Sequence, residues 1–229
     1  MTGQTGKGFG AYGKVPALGD FFRTGLPGDF IEPWDDWLQR LLLECRRAYD
    51  ARFEEAYMSA PIWRFSLAAG LAGPRPMLGV VMNSVDRVGR MFPLTLAAPL
   101  GPETDPVACH LCGDETFLRL EEAALDALED GRSKADLEAA LEEIALPPPP
   151  MPGAVRSVGA TLTAQAGAGA SCLAASLARG PLTAGRRHPS LWSCEVDGVA
   201  RLMACDGLPG GREMIGLMSL SAPIWTEAA

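Results

Sequence analysis

Lys14 and Asp20 in one short stretch, and Asp86, Arg87 and Arg90 in another, are the ionisable residues of this chain best placed to do chemistry. The stretches read YGKVPALGDF, from Tyr12 to Phe21, and NSVDRVGRMFPL, from Asn83 to Leu94. Both mix charge with glycine, proline and aromatic residues, a composition suited to shaped loops and poor for helix or ladder. If the two loops converge, two carboxylates beside three cations could bind an anion or a metal, or pair with one another and lock loop to loop. Unpaired charges among so many apolar neighbours are costly, so pairing of Arg87 and Arg90 with Asp20 or Asp86 ranks first. A recognition surface ranks second, and catalysis or small-anion sensing by Asp20, Asp86, Arg87 and Arg90 third.

Other motifs lack their context. GFGAYGKV, from Gly8 to Val15, matches both a kinase glycine-rich loop and a dinucleotide fingerprint, but seven residues cannot supply the strand that must precede it. No HRD, DFG or strand-lysine pattern follows. CHLC, from Cys109 to Cys112, offers two thiols and His110, yet no second pair completes a tetrahedral zinc site; a buried thiol beside an exposed histidine is the expected arrangement. GAGAS, from Gly167 to Ser171, lacks the GK[ST] of a phosphate-binding loop, and no GxSxG elbow accompanies the two histidines. No catalytic residue, cofactor or metal is therefore expected.

A chain of 229 residues with 48% hydrophobic content can bury a full core. Neither a bilayer-length apolar run nor a signal-like N-terminus is encoded, which predicts a cytoplasmic protein with no membrane partner. The six cysteines read as reduced thiols. The net charge of −8 is concentrated in the second half, and Glu103 to Glu143 carries 13 acids against Arg119, Arg132 and Lys134. Such a surface repels phosphate backbones and excludes nucleic acid as the natural partner.

The elements that must position the loops follow from periodicity. Trp34, Trp37, Leu38, Leu41 and Cys45 recur at helical spacing, with Asp29 as the expected cap and Pro33 placed in or before the first turn. Ile62 to Leu67 alternates as a strand, and Met77 to Met82 and Met91 to Ala98 are short apolar runs. The segment NSVDRVGR thus joins two neighbouring strands at a sheet end. Residues 114–145 read as a helical hairpin, opened by Asp114 and re-opened by Ser133 with Asp136. LPPPPMPG, from Leu146 to Gly153, is expected as polyproline linker. Val155 to Thr163 is expected as a strand and Ala168 to Arg179 as a short helix or a loose Gly/Ala segment. Leu191 to Cys205 forms a hairpin around Asp197-Gly198, and Gly211 to Leu220 a closing helix.

These elements predict an α+β fold: a mixed or mostly antiparallel central sheet flanked by helices, with the helical hairpin inserted. Residues 1–229 are taken as one domain, divisible at the linker into 1–145 and 154–229. Trp34, Trp37, Trp63 and Phe65 sit at core spacing. Phe21, Phe22 and Phe30 lie among glycines and prolines, so at least one is expected to be exposed as an interface anchor.

The run YGKVPALGDFFRTGLPGDFIEPWDDWLQ, followed by APIWRFSL and SVDRVGRMFPLTLAAPL, resembles the N-terminal region of the TagF (ImpM) family of type VI secretion-associated proteins. The likeness covers about Gly10 to Leu100, with an echo, SLW, at Ser190 to Trp192; Leu18, Met91 and Ser193 depart from the family pattern. The resemblance implies a bacterial, non-enzymatic, cytoplasmic repressor that acts after translation by engaging the forkhead-associated scaffold protein of the secretion machine.

Overall fold

Strand pairing brings the two charged loops to one end of the same sheet. The computed structural model describes residues 8–129, 131–148, 154–158, 160–165 and 169–226. Strands β1 (Gly10–Gly13), β2 (Phe22–Thr24), β3 (Trp63–Leu67), β4 (Met77–Met82) and β5 (Leu94–Pro99) join β8 (Pro189–Val196) and β9 (Val199–Asp206) in a seven-stranded sheet of order β2-β1-β5-β4-β3-β8-β9. Every pairing in it is antiparallel. Because β1 lies against β5, the loop leaving β1 and the loop entering β5 are neighbours although about 70 residues separate them in the chain.

Helices cover both faces. On one, α1 (Gly28–Tyr49), α2 (Phe53–Ser59) and α7 (Arg212–Met218) pack on Trp63, Phe65, Leu67, Val81 and Trp192. On the other, α3 (Pro106–Cys112), α4 (Asp114–Asp126) and α5 (Lys134–Glu143) pack on Leu78, Val80, Leu94 and Leu96. Double coverage explains why β4 and β5 read as unbroken apolar runs: all six residues of each are buried. β6 (Ala154–Val158) and β7 (Thr161–Gln165) form a separate two-stranded hairpin beside α6 (Gly169–Thr183), and α8 (Pro223–Thr226) ends the described chain. No helix among the described residues is long and apolar enough to cross a membrane.

Several expectations need correction. The first helix starts at Gly28, so Asp29 lies in its first turn instead of capping it, and Pro33, expected in or before the first turn, is inside the helix. Packing of Phe30, Trp34, Trp37 and Leu38 offsets the hydrogen bond a proline cannot donate there. Asp114 does not cap α4; its carboxylate meets Arg64 at 2.9 Å. Upstream, Asp105 and Pro106 open the unforeseen helix α3, with the Asp105 carboxylate accepting from the Val107 and Ala108 N–H groups. The strand expected from Val155 to Thr163 breaks into β6 and β7, and residues 149–153 of the proline run lie outside the described residues. Ser133 and Asp136 do form a capping box, and Asp197 and Gly198, at φ 53° and 72°, make the left-handed turn joining β8 to β9.

Candidate functional site

The first loop leaves β1 at Gly13, where φ is 140° and a Cβ would run into the Pro93 carbonyl oxygen, so only glycine lets the two loops lie this close. The second loop is fixed at its base by Tyr57, whose hydroxyl donates to the Ser84 carbonyl at 2.7 Å, and by Asn83, whose amide donates to the Tyr57 carbonyl at 2.8 Å. Two cross-loop bonds then join the segments. The Arg87 N–H donates to the Leu18 carbonyl at 3.0 Å, and Arg90 Nη2 to the Gly19 carbonyl at 2.6 Å.

Asp86 is the hub. Its side chain has no solvent exposure. One oxygen accepts from the Val88 and Arg90 N–H groups at 3.1 and 2.9 Å; the other accepts from Arg90 Nε at 2.6 Å and faces Lys14 Nζ at 3.1 Å. Burial by itself would raise the carboxyl pKa, but the donors from Arg90, Lys14 and Val88 outweigh it and hold the group well below the usual carboxylate range. Lys14 is itself buried, so the pair is a fixed internal element with donors on both oxygens and no open face toward solvent.

An aromatic cluster lies over this hub. Phe21 stacks on Tyr12 at 5.9 Å between ring centroids and meets Phe92 edge-on at 4.8 Å, while Lys14 Nζ lies 5.1 Å from its ring. Tyr12 is anchored in turn through its hydroxyl to Asp35. Phe21 remains 46% exposed and Val88, at the tip of the second loop, 69%. The result is a rigid platform with an aromatic face.

Of the residues singled out from sequence, Lys14, Asp86, Arg90 and Phe21 come together, and Arg87 joins through its backbone. Asp20 does not enter the ion pairing: it is exposed and accepts the neighbouring Phe21 N–H at 2.7 Å, a local turn contact that needs no distant cation. The Arg87 side chain is also exposed; its guanidinium lies over Gly19 and meets no carboxylate among the described residues. Phe22 is no anchor. As the first residue of β2 it alternates inward from Phe21 and is 2% exposed, with Lys134 over its ring. Phe30 and Trp34 are core, Trp34 donating to Thr95 Oγ1 at 2.9 Å. Sequence reasoning missed Tyr12, Phe92 and Val88 as parts of the platform. The spacing Asp86-x-Val88-Gly89-Arg90 carried a usable signal, since an aspartate accepting the N–H two residues on is an Asx turn.

A second polar cluster sits between α3 and β8. His110, expected exposed, is buried, because α3 turns it under the sheet against Phe117. Its Nε2 meets Ser193 Oγ at 2.8 Å, whereas Nδ1 has no partner among the described residues. Burial, and then the nearby Arg64 charge, push the imidazole pKa down to about 3. A histidine that protonates at about 6.5 in the unfolded chain but resists protonation when folded draws protons to the unfolded state, so stability falls as pH drops from about 6.5 toward 3. That part of the acid sensitivity should disappear in His110→Leu, as read by thermal unfolding across the interval; an unchanged profile would assign it elsewhere. Cys109 is a buried thiol, and among the described residues no group of three or more His, Cys, Asp or Glu is arranged to hold a metal ion.

Comparison with known proteins gives the same N-terminal segment a family. The family model described as the TagF N-terminal domain, type VI secretion system-associated, matches residues 10–144. A solved structure, that of PA0076 from Pseudomonas aeruginosa PAO1, is similar with a TM-score of 0.73 and 33% identity over 92% of this chain and 94% of that one. No curated protein matches. The matched segment holds both loops, the Asp86 hub and the Phe21 platform, and the chain belongs to the TagF family of type VI secretion-associated proteins.

Proposed function

We propose that this chain is a cytoplasmic, non-catalytic repressor of type VI secretion that acts after translation by binding the forkhead-associated scaffold protein of the machine, using the platform formed by the two loops. The observation that carries the reading is the saturation of Asp86. A carboxylate poised for acid–base work needs an open face and a substrate within reach, whereas Asp86 has donors on both oxygens and no exposure. Its charge is spent on rigidity. What the loops offer outward is a half-exposed aromatic ring held on a fixed frame, the kind of residue that dominates protein interfaces.

The test pairs binding with stability. Phe21→Ala should weaken association with the purified scaffold protein, measured by calorimetry, by more than about 1 kcal/mol. Thermal unfolding of the same variant should change little, because the ring is half in solvent and the Asp86 hub lies beneath it. Unchanged affinity in the folded variant would move the interface elsewhere, the acidic hairpin of α4 and α5 being next in line. Loss of fold together with binding would make Phe21 a packing residue.

A further inference from the structure

The platform is a basic island on an acidic protein. The chain carries a formal charge of −8, yet Lys14 to Thr24 and Ser84 to Phe92 together hold the cations Lys14, Arg23, Arg87 and Arg90 against only Asp20 and Asp86. Asp86 is consumed internally by Lys14 and Arg90. Arg87 is exposed, its backbone N–H is pinned to the Leu18 carbonyl, and its guanidinium lies beside Gly19 and meets no carboxylate among the described residues. Arg23, the strand neighbour of Tyr12, is likewise exposed and has no carboxylate partner among the described residues, while Asp35 is bound to Tyr12 and Gln39. Asp20 remains as the counter-charge at the rim, engaged by the Phe21 N–H.

We infer that the platform recognises an acidic segment of the scaffold protein, one carboxylate pairing with Arg87 while an adjacent apolar side chain covers Phe21 and Val88; this rests on the proposed scaffold-binding function. An exposed guanidinium presents a fork of donors that matches a carboxylate, and here it sits beside apolar surface that a partner would desolvate. The combination of an exposed cation with Phe21 and Val88 selects an acidic-apolar sequence over a merely acidic surface, and the acidic second half of this protein disfavours acidic partners on its own surface. The acidic α4–α5 hairpin of a second copy carries the same charge and is the competing occupant.

The experiment compares wild type, Arg87→Glu, Arg87→Lys and Val88→Asp, titrated with the purified scaffold protein at about 50 and 300 mM salt, concentrations chosen to span strong and weak screening. Wild-type affinity should fall with salt. Arg87→Glu should weaken binding roughly 10-fold or more at low salt and flatten the salt dependence, Arg87→Lys should recover most of it, and Val88→Asp should also weaken it. All four should unfold at the same temperature, since both side chains are exposed. Wild-type binding that Arg87→Glu leaves unchanged would overturn this inference alone; no wild-type binding at either salt would overturn it together with the proposed function. Self-association of the wild type at low salt that Arg87→Glu abolishes, seen by sedimentation, would assign the platform to a second copy and overturn the scaffold as occupant.

Discussion

Replacing Trp34 by alanine should destabilise the protein by about 4 kcal/mol, with urea denaturation as the measurement. Trp34 has no solvent exposure and lies between Phe30, Trp37, Phe65 and Trp192, with ring centroids at 5.4, 4.7, 4.8 and 6.1 Å. Truncation removes that packing, leaves a cavity whose rigid aromatic walls collapse poorly, and deprives the buried Thr95 hydroxyl of its indole donor. A typical domain holds only about 5–15 kcal/mol in total, so the variant should remain folded but begin to unfold near room temperature in modest denaturant. Trp34→Phe, which keeps most of the volume, should lose clearly less. A loss below about 1 kcal/mol in Trp34→Ala would mean that the aromatic cluster repacks and is not the rigid centre described above.

Asp86→Ala should lower the melting temperature by roughly 10 °C at neutral pH. The substitution strands the buried Lys14 ammonium, which is 9% exposed at its side chain, and leaves two backbone N–H groups without their acceptor. The effect has a pH signature that Trp34→Ala lacks. Because folding depresses the Asp86 pKa, its contribution is complete above the unfolded carboxyl value of about 3.9 and is lost as pH falls below that value toward the folded one. The gap between wild type and variant should therefore stay constant from about pH 5 to 8 and narrow below about pH 4. The His110 effect acts earlier, from about pH 6.5 downward, and is common to both proteins. A gap that persists undiminished at pH 3 would show that Asp86 contributes through packing and not through charge.

How much of this was legible in the sequence depends on the range of the cause. α1 could be read because one apolar stripe at helical spacing meets one sheet face, and the β8–β9 hairpin because Asp197-Gly198 is a purely local signal. α3 escaped because its seven residues are too few for periodicity, leaving Asp105-Pro106 as the only mark. At the candidate site, residue types indicated that Arg87 and Arg90 would pair with Asp20 or Asp86, and of these only Arg90 with Asp86, a contact of four residues' reach, is found among the described residues. They did not say that Lys14, and not Asp20, would complete the hub, because that choice is made by the β1–β5 register. Phe21 and Phe22 were indistinguishable in composition; a three-residue strand hidden in a Gly/Pro-rich segment sends one outward and the other into the core. His110 is buried by the placement of α3 against β8, more than 80 residues away.

The tryptophans of the first half lean on the end of the chain. Trp37 donates its indole N–H to the Pro209 carbonyl and Trp63 to that of Leu217, while β8 supplies both Trp192 and the neighbour of β3. On the ribosome, then, a nascent chain that has already produced every residue of both charged loops still has two indoles without acceptors and an open sheet edge. It cannot close its aromatic centre until about 217 residues have been made and the last of them have cleared the exit tunnel. Such long-range closure makes for slow maturation and a period in which the half-built sheet is sticky. A chain with this wiring becomes competent only once the segment around Leu217 has been made, and any product truncated before it should be seized by chaperones or proteases before it can present a half-formed platform.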